Sequence, residues 1–204
     1  MTVSANAPRP IPFSSTALTS LQQLASVAMS GVTIICGFPA AGKTTATRFL
    51  ADLVDPVVLD KDTFAPQLEE SVMSELNGNP FDRDSDLYRR VVSPNIYAAL
   101  LSHAVRIGAR CPVLVDAPFL GHVQAAAENG VLLTDYIRAA TAAEVEIRTV
   151  WVNTDTVRIR DRMVARGAER DQPKLTAWDS YRTTVLDSGL AQAGPSVVDH
   201  VVAN

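Results

Sequence analysis

One segment of the chain combines glycines, a lysine and a hydroxyl residue at the spacing of a phosphate-binding loop. It runs from Gly37 to Thr44 and reads Gly-Phe-Pro-Ala-Ala-Gly-Lys-Thr, which matches G-x-x-x-x-G-K-[ST]. Glycines allow the turn that points backbone N–H groups at phosphate oxygens. Lysine suits the β- and γ-phosphates, and a threonine hydroxyl suits Mg²⁺. The spacing therefore predicts a site for Mg²⁺ and a nucleoside triphosphate, with ATP as the default.

The surroundings of this loop favour a true phosphate site over a chance match. A β-branched run at 32–36 precedes the loop, and a helical pattern begins at Gly42 or Lys43, so the order is strand, loop, helix. The N-terminal end of that helix would face the same anion. The predicted nucleotide-binding residues of the loop are Gly37, Phe38, Pro39, Ala40, Ala41, Gly42, Lys43, Thr44 and Thr45, with Lys43 also predicted to be catalytic.

Three aspartates follow two other short apolar runs. Asp60 and Asp62 follow the run at 57–59, and Asp116 follows the run at 113–115. Ligands of open α/β sheets bind at the carboxyl ends of the strands, so these side chains should meet there. We predict that Asp62 accepts or orients the proton of an acceptor hydroxyl, and that Asp60 and Asp116 support Mg²⁺ together with the threonine. The alternatives are helix caps for Asp60 and Asp62 and a turn for Asp116.

Arginines recur every four residues in a later helical segment. Arg158, Arg162 and Arg166 form one stripe, Gly167 breaks the segment, and Arg170 follows. A lid that carries arginines can close over ATP, exclude water and stabilise the transferring phosphoryl group. We predict catalytic roles for Arg162 and Arg166 and nucleotide contacts for Arg158 and Arg170. The alternative is a solvated arginine face.

Alternating strand and helix patterns predict an α/β fold. Five apolar runs, at 32–36, 57–59, 113–115, 145–152 and 197–202, are separated by helical patterns at 43–53, 64–77, 84–107, 155–167 and 174–188. This order predicts a P-loop NTPase fold, with a five-stranded parallel sheet flanked by helices. A further helix is predicted over 14–30. We expect a flexible lead at 1–13 and a single domain at 14–204, with the arginine-rich lid at about 155–175.

The class of P-loop protein follows from what accompanies the loop. A GTPase would carry Asn-Lys-x-Asp, and a motor would place a second acid where this chain reads Val115-Asp116-Ala117-Pro118. Neither is found where expected, so the pattern favours a kinase that transfers the γ-phosphate of ATP to a hydroxyl. Two alternatives stay open: a nucleotide-binding regulatory module without efficient turnover, and a polynucleotide 5′-hydroxyl kinase.

Composition limits the cellular compartments and the substrate classes that we expect for this protein. The chain has 204 residues and a net charge of −4, which argues against a polynucleotide substrate because phosphate backbones favour basic grooves. Cys36 and Cys111 lack the spacing of a disulfide framework or zinc site, so a reducing cytoplasm is expected. No apolar run approaches the roughly 20 residues that span a membrane. The sequence leaves the oligomeric state open.

Three blocks of the chain carry a resemblance to a known family. They are the loop with Thr45, the segment Val58-Leu59-Asp60-Lys61-Asp62-Thr63-Phe64, and Val92-Ser93-Pro94 followed later by Val113-Leu114-Val115-Asp116. Together they resemble the zeta-toxin and chloramphenicol-phosphotransferase branch of P-loop kinases, which includes polynucleotide-kinase-like domains. The resemblance implies ATP or GTP with Mg²⁺, and phosphorylation of a hydroxyl with Asp62 as the base.

The resemblance also bears on the acceptor. Zeta toxins hold a sugar nucleotide with a glutamate, and the corresponding segment here, 97–101, has no acid. We therefore predict a small metabolite or antibiotic, bound over the sheet edge beside Asp62. The predicted acceptor contacts are Asp82, Arg83, Arg89, Arg90, Phe119, His122 and Tyr136.

Overall fold

The computed structural model describes residues 13–83 and 85–204. The predicted flexible lead therefore lies outside the described residues, except for Phe13. Phe13 is buried in the main hydrophobic core, and it lies close to Gly42 of the phosphate-binding loop. The boundary of the predicted lead is thus wrong at this residue, because an aromatic side chain there gains more from burial than from solvation.

The five predicted strands form one parallel sheet. The strands are β1 Val32–Cys36, β2 Val57–Asp60, β3 Val113–Asp116, β4 Ile147–Asn153 and β5 His200–Ala203. Their order is β2-β3-β1-β4-β5, and every neighbouring pair is parallel. The predicted α/β class with a five-stranded parallel sheet is therefore confirmed. The predicted start of the fourth strand is two residues early, and that of the fifth is three residues early.

Burial follows position in the sheet. Every residue of β1 and β3 is buried, as expected for continuous apolar strands covered on both faces. Strand β2 lies at an edge of the sheet, and its Val57 and Val58 are exposed. Trp151 of β4 is the largest fully buried side chain. The centre of the core therefore lies around β1, β3 and β4.

Helices flank this sheet in two connected sets. The first set is α1 Ser15–Val27 and α2 Lys43–Val54, which pack together. The side chain of Ser14 caps α1 by accepting a hydrogen bond from the Ala17 N–H at 3.1 Å. After β2 come α3 Lys61–Phe64 and α4 Pro66–Asn77.

The second set covers the sheet around β3 and β4. A π-helical turn at Tyr88–Val92 leads into α5 Ser93–Gly108, and α6 Leu120–Glu128 and α7 Leu133–Thr141 follow β3. The sequence predicted a single helix over 84–107, and it did not identify α6 or α7. Each spans only nine residues, and the alanines of α6 also weaken its periodic pattern. Among the described residues, no helix is both long and apolar enough to cross a bilayer.

The predicted lid segment begins with one regular helix and continues irregularly. Helix α8 Thr156–Arg166 ends at Gly167, as predicted, and a short 3₁₀ turn spans Glu169–Asp171. The predicted helix over 174–188 is instead α9 Gln172–Thr176, α10 Trp178–Tyr181 and a π-helical turn at Arg182–Leu186. Helix α11 Leu190–Ser196, which was not predicted, then leads to β5.

Strand register brings the predicted site residues to one edge of the sheet. Asp116, the last residue of β3, pairs in register with Ile35 of β1 on one side and with Asp60 of β2 on the other. The phosphate-binding loop begins directly after β1. The loop and the aspartates therefore meet at the carboxyl edge, as the rule for open α/β sheets requires.

Glycine 194 provides a test of how tightly the core around β4 is packed. A Cβ at Gly194 would lie 2.5 Å from Cε2 of the buried Trp151 indole. We expect Gly194→Ala to lower the free energy of unfolding by about 1–3 kcal/mol, because the indole has no room to move. Urea denaturation measures the change. The matched control is Gly121→Ala in α6, where an added Cβ meets nothing within 4 Å, so an equal loss in both variants would contradict this packing.

Candidate active site

The phosphate-binding loop has the backbone conformation that its glycines were expected to allow. Gly37 and Gly42 have φ values of 141° and 106°, and Ala40, a non-glycine residue, has a positive φ of 62°. A Cβ at Gly37 would lie 2.8 Å from the carbonyl oxygen of Val152 on the neighbouring strand. The first glycine is thus required by both conformation and close approach. The loop then opens α2, whose first residue is Lys43.

Lys43 lies inside the loop. Its side chain is buried and its Nζ donates to the carbonyl oxygen of Phe38 at 2.9 Å. Burial lowers the pKa of Lys43, while the charges of Asp116 and Asp62 favour its protonated form and so oppose that shift. Both predicted carboxylates are therefore close enough to act on this ammonium group. The structure brings the three residues into one site.

Asp116 and Thr44 form the second part of the site. Asp116 is only 4% exposed, and Thr44 hydrogen-bonds its carboxylate. Burial raises the pKa of Asp116, against the opposite effect of the Lys43 charge and the Thr44 hydrogen bond. Its Oδ2 atom is buried and has no hydrogen-bond partner among the described residues.

This pair fits a Mg²⁺ site. A buried carboxylate oxygen without a partner is costly unless a ligand completes it, and hard oxygen ligands suit Mg²⁺. The described residues contain no group of three or more His, Cys, Asp or Glu side chains suited to hold a metal ion. A Mg²⁺ ion here would therefore take much of its coordination from phosphate oxygens and water.

Asp60 and Asp62 lie at the turn from β2 into α3. The Asp60 carboxylate accepts a hydrogen bond from the Asp62 N–H at 2.9 Å and caps this short helix, so the cap alternative holds for Asp60. Both carboxylates also raise the pKa of Asp116, which places them near it. Asp62 has no capping role, and its side chain is 46% exposed. It is thus the accessible carboxylate at this edge.

Two of the predicted arginines reach this carboxylate edge. Arg170 forms an ion pair with Asp62 Oδ2, and this contact joins the lid segment to the candidate base. Arg166 donates to both oxygens of Asp171 at 2.8 Å, and its charge lowers the pKa of Lys43. Asp171 is almost fully buried. The sequence did not single out Asp171, although an acid one residue after Arg170 in a lid segment was a usable signal.

The other two arginines lie elsewhere. Arg162 Nη1 donates to the Ala41 carbonyl oxygen at 2.8 Å, and the side chains of Thr154 and Asn204 donate to the same oxygen. Arg162 therefore braces the carbonyl side of the phosphate-binding loop. Arg158 pairs with Asp155 at 3.3 Å, and both side chains are more than half exposed. The stripe seen in the sequence is thus divided between separate partners.

A buried polar network adjoins Asp62, and the sequence did not predict it. Glu69 of α4 is 1% exposed, and its Oε1 accepts from Lys61 at 2.8 Å and from the Tyr88 hydroxyl at 2.6 Å. Its Oε2 pairs with Arg83 at 2.5 Å. Lys61 also donates to the Tyr88 hydroxyl at 2.7 Å. Because Lys61 directly precedes Asp62, the network fixes the backbone that carries the candidate base.

The remaining predicted acceptor contacts are dispersed around this edge. Asp82 accepts from Asn77 in the loop after α4, and Arg89 pairs with exposed Asp86. Arg90 is exposed. Phe119 is fully buried and belongs to the core rather than to an open wall. The other two predicted contacts, His122 and Tyr136, lie in a ring cluster with Phe119 and Tyr97.

The parallel sheet and the loop conformation define the class of the protein as a P-loop NTPase-like fold. Comparison with known proteins identifies the family: residues 32–186 match the AAA domain family designated AAA_33, and the chain belongs to it. A comparison with curated protein sequences finds no match.

Two solved structures share the fold. Shikimate kinase from Acinetobacter baumannii, in complex with shikimate, has a TM-score of 0.51 and 16% sequence identity, covering 88% of this chain and 86% of that chain. The structure of the PezAT chromosomal toxin-antitoxin system of Streptococcus pneumoniae has a TM-score of 0.51 and 12% identity, covering 96% and 79%. At these identities the likeness shows the fold.

The buried network around Glu69 leads to a stability prediction. Glu69→Gln leaves Lys61 and Arg83 without their full counter-charge in a buried setting, so we expect a loss of about 3 kcal/mol in the free energy of unfolding. Chemical denaturation measures it. Asp135→Asn serves as the control, because the Arg138–Asp135 pair is exposed and should contribute less than about 1 kcal/mol. Similar losses in both variants would contradict a special role for the buried network.

The raised pKa of Asp116 leads to a prediction in which stability and binding change in opposite directions. The folded state holds the Asp116 proton more tightly than the unfolded state does. The contribution of Asp116 to the free energy of unfolding is therefore fully present below the unfolded pKa, and it is lost as the pH rises through the folded pKa. At neutral pH, Asp116→Asn should therefore raise the melting temperature of the nucleotide-free protein.

The same variant should bind Mg²⁺ with nucleotide roughly 10–100-fold more weakly, because it loses a charged ligand. Thermal melting between pH 4 and pH 8 measures the first effect, and titration calorimetry with Mg·ATP measures the second. The stability gain of the variant over the natural protein should grow with pH. A variant that is less stable at neutral pH, or that binds Mg·ATP normally, would contradict this assignment.

Proposed function

We propose that the protein is a Mg²⁺-dependent kinase that transfers the γ-phosphate of ATP to a hydroxyl of a small molecule. The observation that supports this most directly is the position of Asp62. It is an accessible carboxylate, close enough to Lys43 and Asp116 to shift their pKa values, and it pairs with an arginine of the lid. A protein that only binds nucleotide has no need for this third carboxylate.

Each part of the site has a role in the proposed transfer. The loop N–H groups and Lys43 hold the phosphates. Asp62 takes the hydroxyl proton while the acceptor oxygen forms a bond to the γ-phosphorus and the bond from that phosphorus to the bridging oxygen of ADP breaks. The products are ADP and a phosphate monoester, and the proton leaves later from Asp62. Transfer is mainly a matter of positioning and charge, and these residues supply both.

Thr44 and Asp116 would hold Mg²⁺, with Asp60 at a greater distance or through water. When bound, the ion would supply positive charge that offsets the negative charge developing during transfer. The orphaned Oδ2 atom of Asp116 supports this assignment.

The lid arginines are proposed to act in closure. Arg170 pairs with Oδ2 of Asp62 in this structure, so we propose that its guanidinium shifts as Asp62 becomes the base. A γ-phosphate is a stronger partner for that guanidinium than one carboxylate, since it offers more oxygens and more charge. Arg166, held by Asp171, then completes the positive rim beside Lys43. Arg162 is proposed to be catalytic and Arg158 to contact the nucleotide, and both would have to leave their partners in this structure, the Ala41 carbonyl and Asp155.

The structural relatives support a small acceptor. Shikimate kinase, as its name states, phosphorylates shikimate, and that structure contains the small molecule. The likeness to a toxin-antitoxin structure is in line with the zeta-toxin-like branch suggested by the motifs. A cytoplasmic location, inferred from the two free thiols, stays a prediction.

Asp62→Asn tests the proposed role of the base. We expect phosphoryl transfer to fall by roughly 10²–10⁴-fold, because the variant cannot take the hydroxyl proton. Binding of Mg·ATP should persist, since Asp62 is not a predicted phosphate ligand. The readout is ADP formation with a panel of hydroxylated metabolites, antibiotics, sugar nucleotides and a 5′-hydroxyl oligonucleotide.

Asp52→Asn is the matched control, because Asp52 is an exposed acid near the far end of α2. It should leave transfer unchanged. Full activity of Asp62→Asn would contradict the assigned base. Tight Mg·ATP binding without stimulation by any acceptor would instead favour the regulatory module, and stimulation by the oligonucleotide alone would favour a polynucleotide kinase.

A further inference from the structure

A long groove lies between α5 and the helices that follow β3. Its volume is about 630 Å³, and one wall is the face of α5 from Ser93 to Arg106. That span covers about 20 Å at the helical rise of roughly 1.5 Å per residue. The other walls are the first turn of α6 and the outer face of α7, through Gly121, His122 and Ala140. A groove of this size accommodates a drug-sized organic molecule.

Aromatic rings line part of the groove. The His122 ring lies 5.0 Å from Tyr97 and 6.2 Å from Tyr136, measured between centroids. All three side chains line the groove. Aromatic rings in such a wall favour a planar ligand that stacks edge or face against them.

Tyr97 connects the groove to the proposed transfer site. Its hydroxyl accepts a hydrogen bond from the Phe119 N–H at 3.2 Å, and Phe119 follows Asp116 by three residues. The charges of Asp62 and Glu69 both contribute to the raised pKa of Tyr97, although burial contributes most. The hydrogen bond ties one wall of the groove to the carboxyl edge of the sheet, where Asp116 lies beside Asp60.

The junction itself is strained. Phe119 has a positive φ of 54°, which is uncommon for a bulky residue. Its fully buried ring packs against Tyr97 at 4.8 Å and against His122 at 5.2 Å. Strained backbone held by surrounding packing is characteristic of ligand sites. Phe119 therefore joins the aromatic wall to the end of β3, where Asp116 lies.

The charged side chains that line the groove, among the described residues, are all positive. Two arginines line it, Arg89 near one end and Arg106 near the other, and no carboxylate lines it among the residues that the structure describes. Asp86, which pairs with Arg89, is highly exposed and lies outside the lining. Because Arg89 already has Asp86 as a partner, the positive charge that the lining offers to a ligand is that of Arg106. Such a groove favours an anion.

We propose that this groove binds the non-reacting part of the acceptor, and that the acceptor is a planar, anionic organic molecule whose hydroxyl reaches Asp62. This inference rests on the proposed kinase function. The ring stacks on the wall formed by Tyr97, His122 and Tyr136. An arginine pairs with the anionic group.

The first experiment measures binding without chemistry. Naphthoate, neutral naphthamide and cationic naphthylmethylamine have similar shapes and carry no hydroxyl, so titration calorimetry compares charge alone. We expect naphthoate to bind about tenfold more tightly than naphthamide, as a charge-assisted hydrogen bond provides, and the amine to bind least. Arg106→Gln should reduce this preference for the anion. Equal binding of the three probes would overturn the proposal.

A second variant tests whether the probe binds in the groove. Gly121→Trp adds a large ring to the groove, and an added Cβ there meets nothing within 4 Å, so the fold should tolerate it. We expect naphthoate binding to weaken at least about tenfold, since the new ring fills space beside His122 in the groove. Ala139→Trp is the matched control, because Ala139 is exposed on α7 outside the lining, and it should bind normally. Normal binding by Gly121→Trp would also overturn the proposal.

Turnover separates this inference from the proposed function. With Mg·ATP, hydroxymethyl-naphthoate should be phosphorylated, and Gly121→Trp should raise the KM for it while the KM for ATP stays the same. If naphthoate binds in the groove but no alcohol of any kind is phosphorylated, the kinase proposal fails. If other alcohols are phosphorylated and Gly121→Trp leaves their KM unchanged, the kinase stands and the groove proposal fails.

Discussion

The candidate site depends on the parallel pairing of β3 with β1 and β2. That register sets Asp116 beside Ile35, directly before the phosphate-binding loop, and opposite Asp60 on the edge strand. A slip of one residue would turn Asp116 to the other face of the sheet and separate it from Lys43 and Thr44. The apolar residues of β1 and β3 oppose such a slip, because both strands are buried throughout. Burial in the core thus determines where the charges lie.

The charges at this edge are held at a cost in stability. Lys43 and Asp116 are both buried. Burial lowers the pKa of Lys43 and raises the pKa of Asp116, so it favours the neutral form of each. The loop adds a non-glycine residue with positive φ at Ala40, and Phe119 adds another on the far side of Asp116. Strain and desolvation gathered in one place are typical of a site organised for a ligand. The sheet and the Glu69 network provide the rigidity that holds them.

The sequence was sufficient to predict the parts that depend on local pattern. The loop spacing, the strands before Asp60 and Asp116 and the end of α8 at Gly167 all have local signals, and the structure has them as predicted. Helices α6, α7 and α11 were missed because their hydrophobic periodicity is weak or their length is short. The extent of the flexible lead was wrong at Phe13, whose burial depends on residues far along the chain.

Partners separated by long stretches of chain were beyond prediction. Nothing in local spacing indicates that Arg170 pairs with Asp62, that Arg162 braces the carbonyl of Ala41, or that Glu69 joins Lys61 to Arg83. These contacts depend on how the lid and α4 return over the sheet. The loop, the three aspartates and the lid arginines could therefore be proposed from the sequence, while their partners, Asp171 and the Glu69 network among them, were available only from the fold.

The central claim is that the γ-phosphate passes to a carbon-bound hydroxyl rather than to water. Phosphorus NMR of Mg·ATP turnover, in water enriched in the heavy oxygen isotope and with hydroxylated acceptors present, tests it directly. The account predicts ADP and a phosphate monoester whose bridging oxygen comes from the acceptor and carries no solvent isotope. Inorganic phosphate labelled from solvent as the only product, with every acceptor supplied, would contradict it.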